Sequence, residues 1–159
     1  MIHKTLKWPL LSGTPLKNWV SSSGKLVIIG DAAHAMMPYM SVGAEMAVED
    51  AAALAEVLSL INSTSQLFPA LKAFERVRIL RTGQMQEASL VNGKLLHFAD
   101  GPVQRARDEA MKVEVEGGTV EHSPNQWTDP ETQRWVYGYD AEKAIAQAWR
   151  ESLDVRAKL

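Results

Sequence analysis

Lys25-Leu26-Val27-Ile28-Ile29, stopped by Gly30-Asp31, is the only clear β-rich run in a chain that otherwise reads as helix and loop. That run most limits the folds open to the sequence. A short continuous apolar stretch of this kind suits a strand buried on both faces, as in a parallel sheet. A lone strand cannot pair its own backbone donors and acceptors. The expectation is therefore a chain that is incomplete or that docks onto another sheet.

Around this strand the chain divides into three stretches of one domain. Residues 1–24 read as an extended or looped lead-in, punctuated by Pro9, Gly13, Pro15 and Gly24. Residues 25–61 read as strand, loop and helix. The loop runs from Ala32 to Ser41 and contains Pro38; the helix from Val42 to about Ile61 rests on its Ala, Leu and Met content. Apolar residues surround much of that helix, which implies burial. Residues 67–159 read as a helical region. Leu67–Phe98, with its three-four apolar spacing, reads as one long helix or two abutting ones, with Gly83 and Gly93 as places where it could bend. Asp100-Gly101-Pro102 ends it, and a short helix from Val103 to about Val113 follows. Residues 114–134 read as irregular. A last amphipathic helix spans about Ala141–Asp154, with Asp140 as its N-cap. The inventory is one buried strand and four or five helices: an α/β fragment that is mostly α.

Composition narrows the function classes. A formal net charge of -2, with no run of five or more like charges, gives no reason to expect nucleic acid or an anionic membrane as partner. Cysteine is absent, which excludes disulfides, thiolate metal sites and cysteine nucleophiles, and fits a cytoplasmic setting. Residues 1–8 lack the apolar core of a signal peptide, and no stretch approaches the ~18 apolar residues of a membrane span.

The segment that carries chemistry is Gly30–Ala51. A strand tip, a tight loop and a helix opened by Gly43 form the kind of place where polar ligands bind in α/β proteins. The helix start offers unpaired N–H groups and the positive end of its dipole. Gly43 lets a flat ligand approach, and Asp31 suits a ligand hydroxyl. Taken alone, the same residues also describe an ordinary turn cap.

The full string is more specific. Gly30-Asp31-Ala32-Ala33-His34, then Pro38, Gly43 and Glu49-Asp50-Ala51, resembles the second FAD-binding motif of the class A flavoprotein monooxygenases, the salicylate hydroxylase-like group. The resemblance extends upstream to Trp8, Pro15 and Trp19. Downstream it takes in Phe74-Glu75-Arg76-Val77-Arg78 and, more loosely, Trp135–Asp140. It implies part of an FAD/NAD(P)-binding, Rossmann-like fold. It also implies that Gly30 and Asp31 serve the cofactor, with Asp31 bonding the ribityl chain of FAD. Pro38 would sit beside the isoalloxazine ring, near where oxygen reacts, and Gly43 and Ala44 would turn N–H groups to the pyrimidine edge. In that family NADH or NADPH reduces the flavin, and oxygen is then used to hydroxylate a small aromatic substrate. The cofactor does the hard chemistry and the protein positions it.

Two positions depart from the family pattern. Ala35 stands where a proline usually follows the His, and Val42 where a glutamine usually precedes the Gly. The G-x-G-x-x-G of the ADP-binding βαβ unit does not occur. The chain therefore reads as the carboxy-terminal portion of such an enzyme, expected to bind FAD weakly or not at all by itself. An inactive remnant, or a module that completes a separately encoded Rossmann-type chain, is the alternative. His34 is expected to fix the loop rather than to bind metal. Met36, Met37, Met40 and Met46 are expected in the core, with flavin or substrate lining as the other possibility. Arg76, Arg78 and Arg81 are expected on a solvated face beside Glu75, while Glu49 or Asp50 needs a partner.

Overall fold

A computed structural model describes residues 4–157; residues 1–3 of the lead-in and 158–159 at the other end lie outside the described residues. Among the described residues there are six α-helices: α1 (Asp31–His34), α2 (Gly43–Ser59), α3 (Leu67–Leu96), α4 (Pro102–Val115), α5 (Pro130–Tyr137) and α6 (Ala141–Ala157). Short 3-10 turns at Pro38–Met40 and Thr64–Gln66 precede α2 and α3.

The alanine-rich α2 packs against α3 and α6. Small residues explain how closely they approach. Ala53, Ala70, Ala73 and Ala141 are buried and leave room for Trp19, Phe74, Ile145 and Trp149 to interdigitate. A second, smaller cluster of Met40, Val42, Met46, Met85 and Val136 fills the end of the body nearer the 30–51 segment. Met40 and Met46 are thus core residues. Met36 only packs against the edge of this cluster. By contrast α4 buries none of its residues. No described helix is long and apolar enough to cross a membrane.

The expected buried strand is corrected. Residues 25–29 form no strand; Val27 makes a single antiparallel bridge with Val20. The bonds beside it, Ser21 N–H to Leu26 O (2.9 Å) and Ile28 N–H to Trp19 O (3.0 Å), close a turn over Ser21–Gly24. Leu26 is 64% exposed and Ile29 37%, so the run is not buried on both faces. Glu75 accounts for the arrest of the ladder. Its Oε2 accepts the N–H groups of both Trp19 (2.6 Å) and Val20 (2.7 Å), so those amides serve no strand. Local β propensity cannot extend a ladder whose neighbour is bound elsewhere.

Of the two readings of the Leu67–Phe98 stretch, the single long helix is the one formed, ending at Leu96. One helical expectation shifts: a further helix, α5, closes the stretch expected to be irregular. Asp129 starts α5: its Oδ2 accepts from Thr132 N–H at 2.8 Å, with Pro130 at the first helical position. The Thr132 N–H and hydroxyl, with the N–H of Ser123, pull the Asp129 carboxyl down to about 2. Asp140 caps α6 as expected, accepting from Lys143 N–H at 2.9 Å.

Candidate functional site

Gly30 turns the chain into α1 with φ 60° and ψ −147°, a conformation that side chains with a Cβ rarely adopt. Its N–H donates to Asp50 Oδ2 at 2.9 Å, and His34 Nε2 donates to the same oxygen at 2.7 Å. Both ends of α1 are therefore fastened to one carboxylate on α2, and His34 fixes the loop. His34 Nδ1 and Trp19 Nε1, although buried, have no partner among the described residues.

Asp50 is held in turn by α3. Arg78 donates through Nε to Asp50 Oδ1 (2.7 Å), through Nη1 to Glu49 Oε2 (2.6 Å) and through Nη2 to Met46 O (3.1 Å). Arg81 bonds Glu49 Oε1 at 3.0 Å and also the carbonyls of Trp135 (3.1 Å) and Val136 (2.7 Å), capping the end of α5. Arg78 and Arg81 are fully or almost fully buried, which corrects the expected solvated face; Arg76 alone is exposed. Burial by itself would raise the Asp50 carboxyl. Hydrogen bonds from His34, Gly30 and Arg78 outweigh it and hold the group below its ordinary value. For Arg78, burial lowers the guanidinium, but Asp50 and Glu49 more than reverse that.

Between α1 and α2 the loop crosses α3, extended at Ala35 and Met37 and then turning at Pro38–Met40, and is held by a ladder that sequence reasoning missed. Gln86 Nε2 donates to Ala35 O (3.1 Å), Ser89 Oγ to Met37 O, and Asn92 Nδ2 to Tyr39 O (2.7 Å). Three side chains at three-residue spacing on α3 thus hold alternate carbonyls of the loop. Gly93 allows the close approach, because a methyl group there would run into the Tyr39 ring. Gly93→Ala is expected to cost about 1–3 kcal/mol by overpacking, read as a lower urea midpoint; an unchanged midpoint would mean that the loop does not seat as described.

The loop ends in a sharp reversal. Ser41 has φ 54°, the sole non-glycine positive φ among the described residues, and its N–H bonds Pro38 O at 3.2 Å. That reversal points the start of α2 into a cleft of about 480 Å3. Asp31, Met36, Met37, Pro38, Gly43 and Ala44 line it, with Ser41 and Ala47 completing the wall. Four of the five expected site residues, Asp31, Pro38, Gly43 and Ala44, therefore face one cleft. Gly30 lies behind it, buried against α2.

The cleft has a polar end and an apolar wall. No side chain caps α2, and the first amide with an acceptor is Met46, bonded to Val42 O at 2.9 Å. The N–H groups of Gly43, Ala44 and Glu45 have no acceptor among the described residues, so the positive end of a 17-residue helix is open to a ligand. A methyl group on Gly43 would meet only Met36, at 3.9 Å. Packing within the chain does not require glycine there; the space it leaves belongs to the cleft. The residues thus fit a flat, electron-rich group with hydrogen-bond acceptors at one edge and hydroxyls near Asp31. Burial, with repulsion from Glu49, lifts the Glu45 carboxyl in this first turn above its ordinary value, against Arg81. No group of His, Asp and Glu suited to a metal occurs among the described residues.

Comparison with known proteins points the same way. Residues 19–89 match the model of an FAD binding domain. The chain is 37% identical over 135 residues to an FAD-dependent monooxygenase of Beauveria bassiana, covering 85% of the chain and 31% of that protein. It is 36% identical over 141 residues to 3-hydroxybenzoate 6-hydroxylase 1 of Aquipseudomonas alcaligenes, covering 87% and 32%. In structure it is similar to a salicylate hydroxylase substrate complex, with TM-score 0.62 and 28% identity over 85% of the chain and 29% of the other. The chain spans about three tenths of the length of these relatives.

Proposed function

We propose, for a chain that is similar to the class A FAD-dependent monooxygenases in sequence and fold, that the cleft between α1 and α2 receives the flavin and ribityl part of FAD. The gathering of Asp31, Pro38, Gly43 and Ala44 around uncapped amides is the observation that carries this reading. The Asp31 carboxylate accepts from a ribityl hydroxyl. The Gly43 and Ala44 N–H groups donate to the pyrimidine edge, and the α2 dipole favours negative charge there, as on a reduced ring. Pro38 and the thioethers of Met36 and Met37 give the ring an apolar face and keep water from it. Gly30, clamped by Asp50, fixes where Asp31 stands.

FAD supplies the redox chemistry when bound, passing electrons from NADH or NADPH to oxygen for hydroxylation of a small aromatic substrate. Within the chain, the sites for pyrophosphate and adenine have no counterpart to the G-x-G-x-x-G turn. Binding of FAD by this chain alone is therefore weaker than micromolar. A fluorescence titration checks both points. Wild type is expected to bind weakly, and Asp31→Ala to bind about tenfold more weakly still, since a hydrogen bond to a charged group is worth ~1.5–3 kcal/mol. Micromolar binding that ignores Asp31 contradicts the reading.

A second reading is favoured by the backbone at the bridge, of which only one side is paired over 26–28, with Leu26 64% exposed. Further apolar side chains are left exposed in the chain, Leu6, Trp8 and Val48 at 81%, 82% and 69%. An open edge and exposed apolar side chains suit docking to a separate Rossmann-type chain that carries the ADP-binding unit, in a cytoplasmic setting that the cysteine-free sequence fits. Co-purification with such a chain would support it, and a monomer that captures none would count against it.

A further inference from the structure

We propose that Met36 and Met37 form a peroxide-reactive modification site, and that the sulfoxide at Met36 occupies the free amides of α2. The inference rests on the flavin reading for its source of oxidant: hydrogen peroxide, which an oxygen-using reaction releases in the cleft when no substrate takes the oxygen.

Five of the seven methionines bear on the argument, and burial sorts them. Met46 and Met85 are 0% exposed and Met40 4%, all in one sealed cluster. Met36 and Met37 are part-exposed and line the cleft. Their placement is built in, because Gln86, Ser89 and Asn92 hold the carbonyls of Ala35, Met37 and Tyr39. Those bonds fix the backbone on both sides of the two thioethers. Peroxide formed against the Pro38 wall arises in the cleft that these two side chains line.

The step balances with peroxide alone. The thioether sulfur attacks one peroxide oxygen with its lone pair, the O–O bond breaks and an S–O bond forms. The departing hydroxide takes up the proton and leaves as water. Sulfur is oxidised and peroxide reduced by the same electron pair. A soft apolar side chain becomes polar and hydrogen-bond accepting.

That new acceptor has donors waiting. The Met36 Cγ lies 3.9 Å from where a Cβ on Gly43 would stand, at the end of the helix where three amides lack acceptors. A sulfoxide oxygen on Met36 gives the nearest of these amides an acceptor and takes the place of the flavin's pyrimidine edge. Oxidation thus acts as a brake on cofactor binding that follows from misdirected turnover.

The test treats the full chain with hydrogen peroxide, locates sulfoxides by peptide mass spectrometry and follows the Gly43 and Ala44 amide resonances. Met36 and Met37 are expected to oxidise at least about tenfold faster than Met46 and Met85, whose exposure requires opening of the fold. The two amides should shift as Met36 oxidises, and should stay in place in peroxide-treated Met36→Leu. Equal rates for all five methionines, or amides indifferent to Met36 oxidation, would overturn the proposal. Repeating the reaction with excess FAD separates the two readings. Slower oxidation of Met36 and Met37 supports both. Unchanged selectivity with no effect of FAD keeps the modification site and counts against the flavin assignment.

Discussion

Arg78→Met is expected to lower the stability of the chain by about 3–5 kcal/mol, read from urea unfolding followed by tryptophan fluorescence. The methionine approximates the stem of the arginine, so the cost does not come from a cavity. It comes from Asp50, which is 0% exposed and loses the guanidinium that offsets the cost of burying its carboxylate. Glu49 loses one of its two arginine partners at the same time. Arg81 cannot replace the missing charge at Asp50, because its donors are spent on Glu49 and the end of α5. Asp50→Asn combined with Arg78→Met should recover part of the loss, since the unpaired charge is then gone. A single variant as stable as wild type would mean that the network contributes nothing, and the clamp on Gly30 would lose its basis.

Glu75→Ala is expected to cost about 2–4 kcal/mol, because two buried backbone amides, those of Trp19 and Val20, lose their only acceptor together. Trp19 packs on Phe74 and His34, so its fluorescence should report detachment of the lead-in directly. The same carboxylate makes stability acid-sensitive. Burial alone would raise it, but Lys72 and the Val20 and Trp19 amides outweigh burial and hold it below the ordinary 4.5. A depressed carboxylate stabilises the fold above its unfolded value, and the contribution fades as pH falls through the folded one. Asp50, held below 3.8, adds a loss in the same direction at lower pH. Wild type should therefore weaken steadily below about pH 4.5, and Glu75→Ala should show a shallower decline. Parallel pH profiles would contradict the role given to Glu75.

Much of the helical scaffold was legible because local signals sufficed. Alanine and leucine content marks α2, three-four spacing marks α3, and Asp140 marks the start of α6. The 30–51 segment was legible as a string, and four of the five residues it singled out line one cleft. What escaped depends on partners distant in sequence. Periodicity picks out a face of α3, yet it does not say that Arg78, Gln86, Ser89 and Asn92 can live on it. They can because their partners are Asp50 and Glu49, some thirty residues away, and the carbonyls of a loop more than fifty residues away. The strand failed for the same reason: β-rich residues met a neighbour whose amides Glu75 had already taken. For α5 a local signal did exist, since Asp129-Pro130 is both a turn signal and a helix start. Its reading depends on the Thr132 contact.

The central claim, that a flavin ring and its ribityl chain seat between α1 and the start of α2, is tested most directly by amide NMR of the chain titrated with millimolar FMN. This probe carries the ring and ribityl chain without adenine, so it addresses the cleft alone. The account predicts the largest shifts at Asp31, Gly43, Ala44 and Glu45, with the set reduced in Asp31→Ala. Resonances of those four that stay fixed, with or without shifts elsewhere, would contradict it.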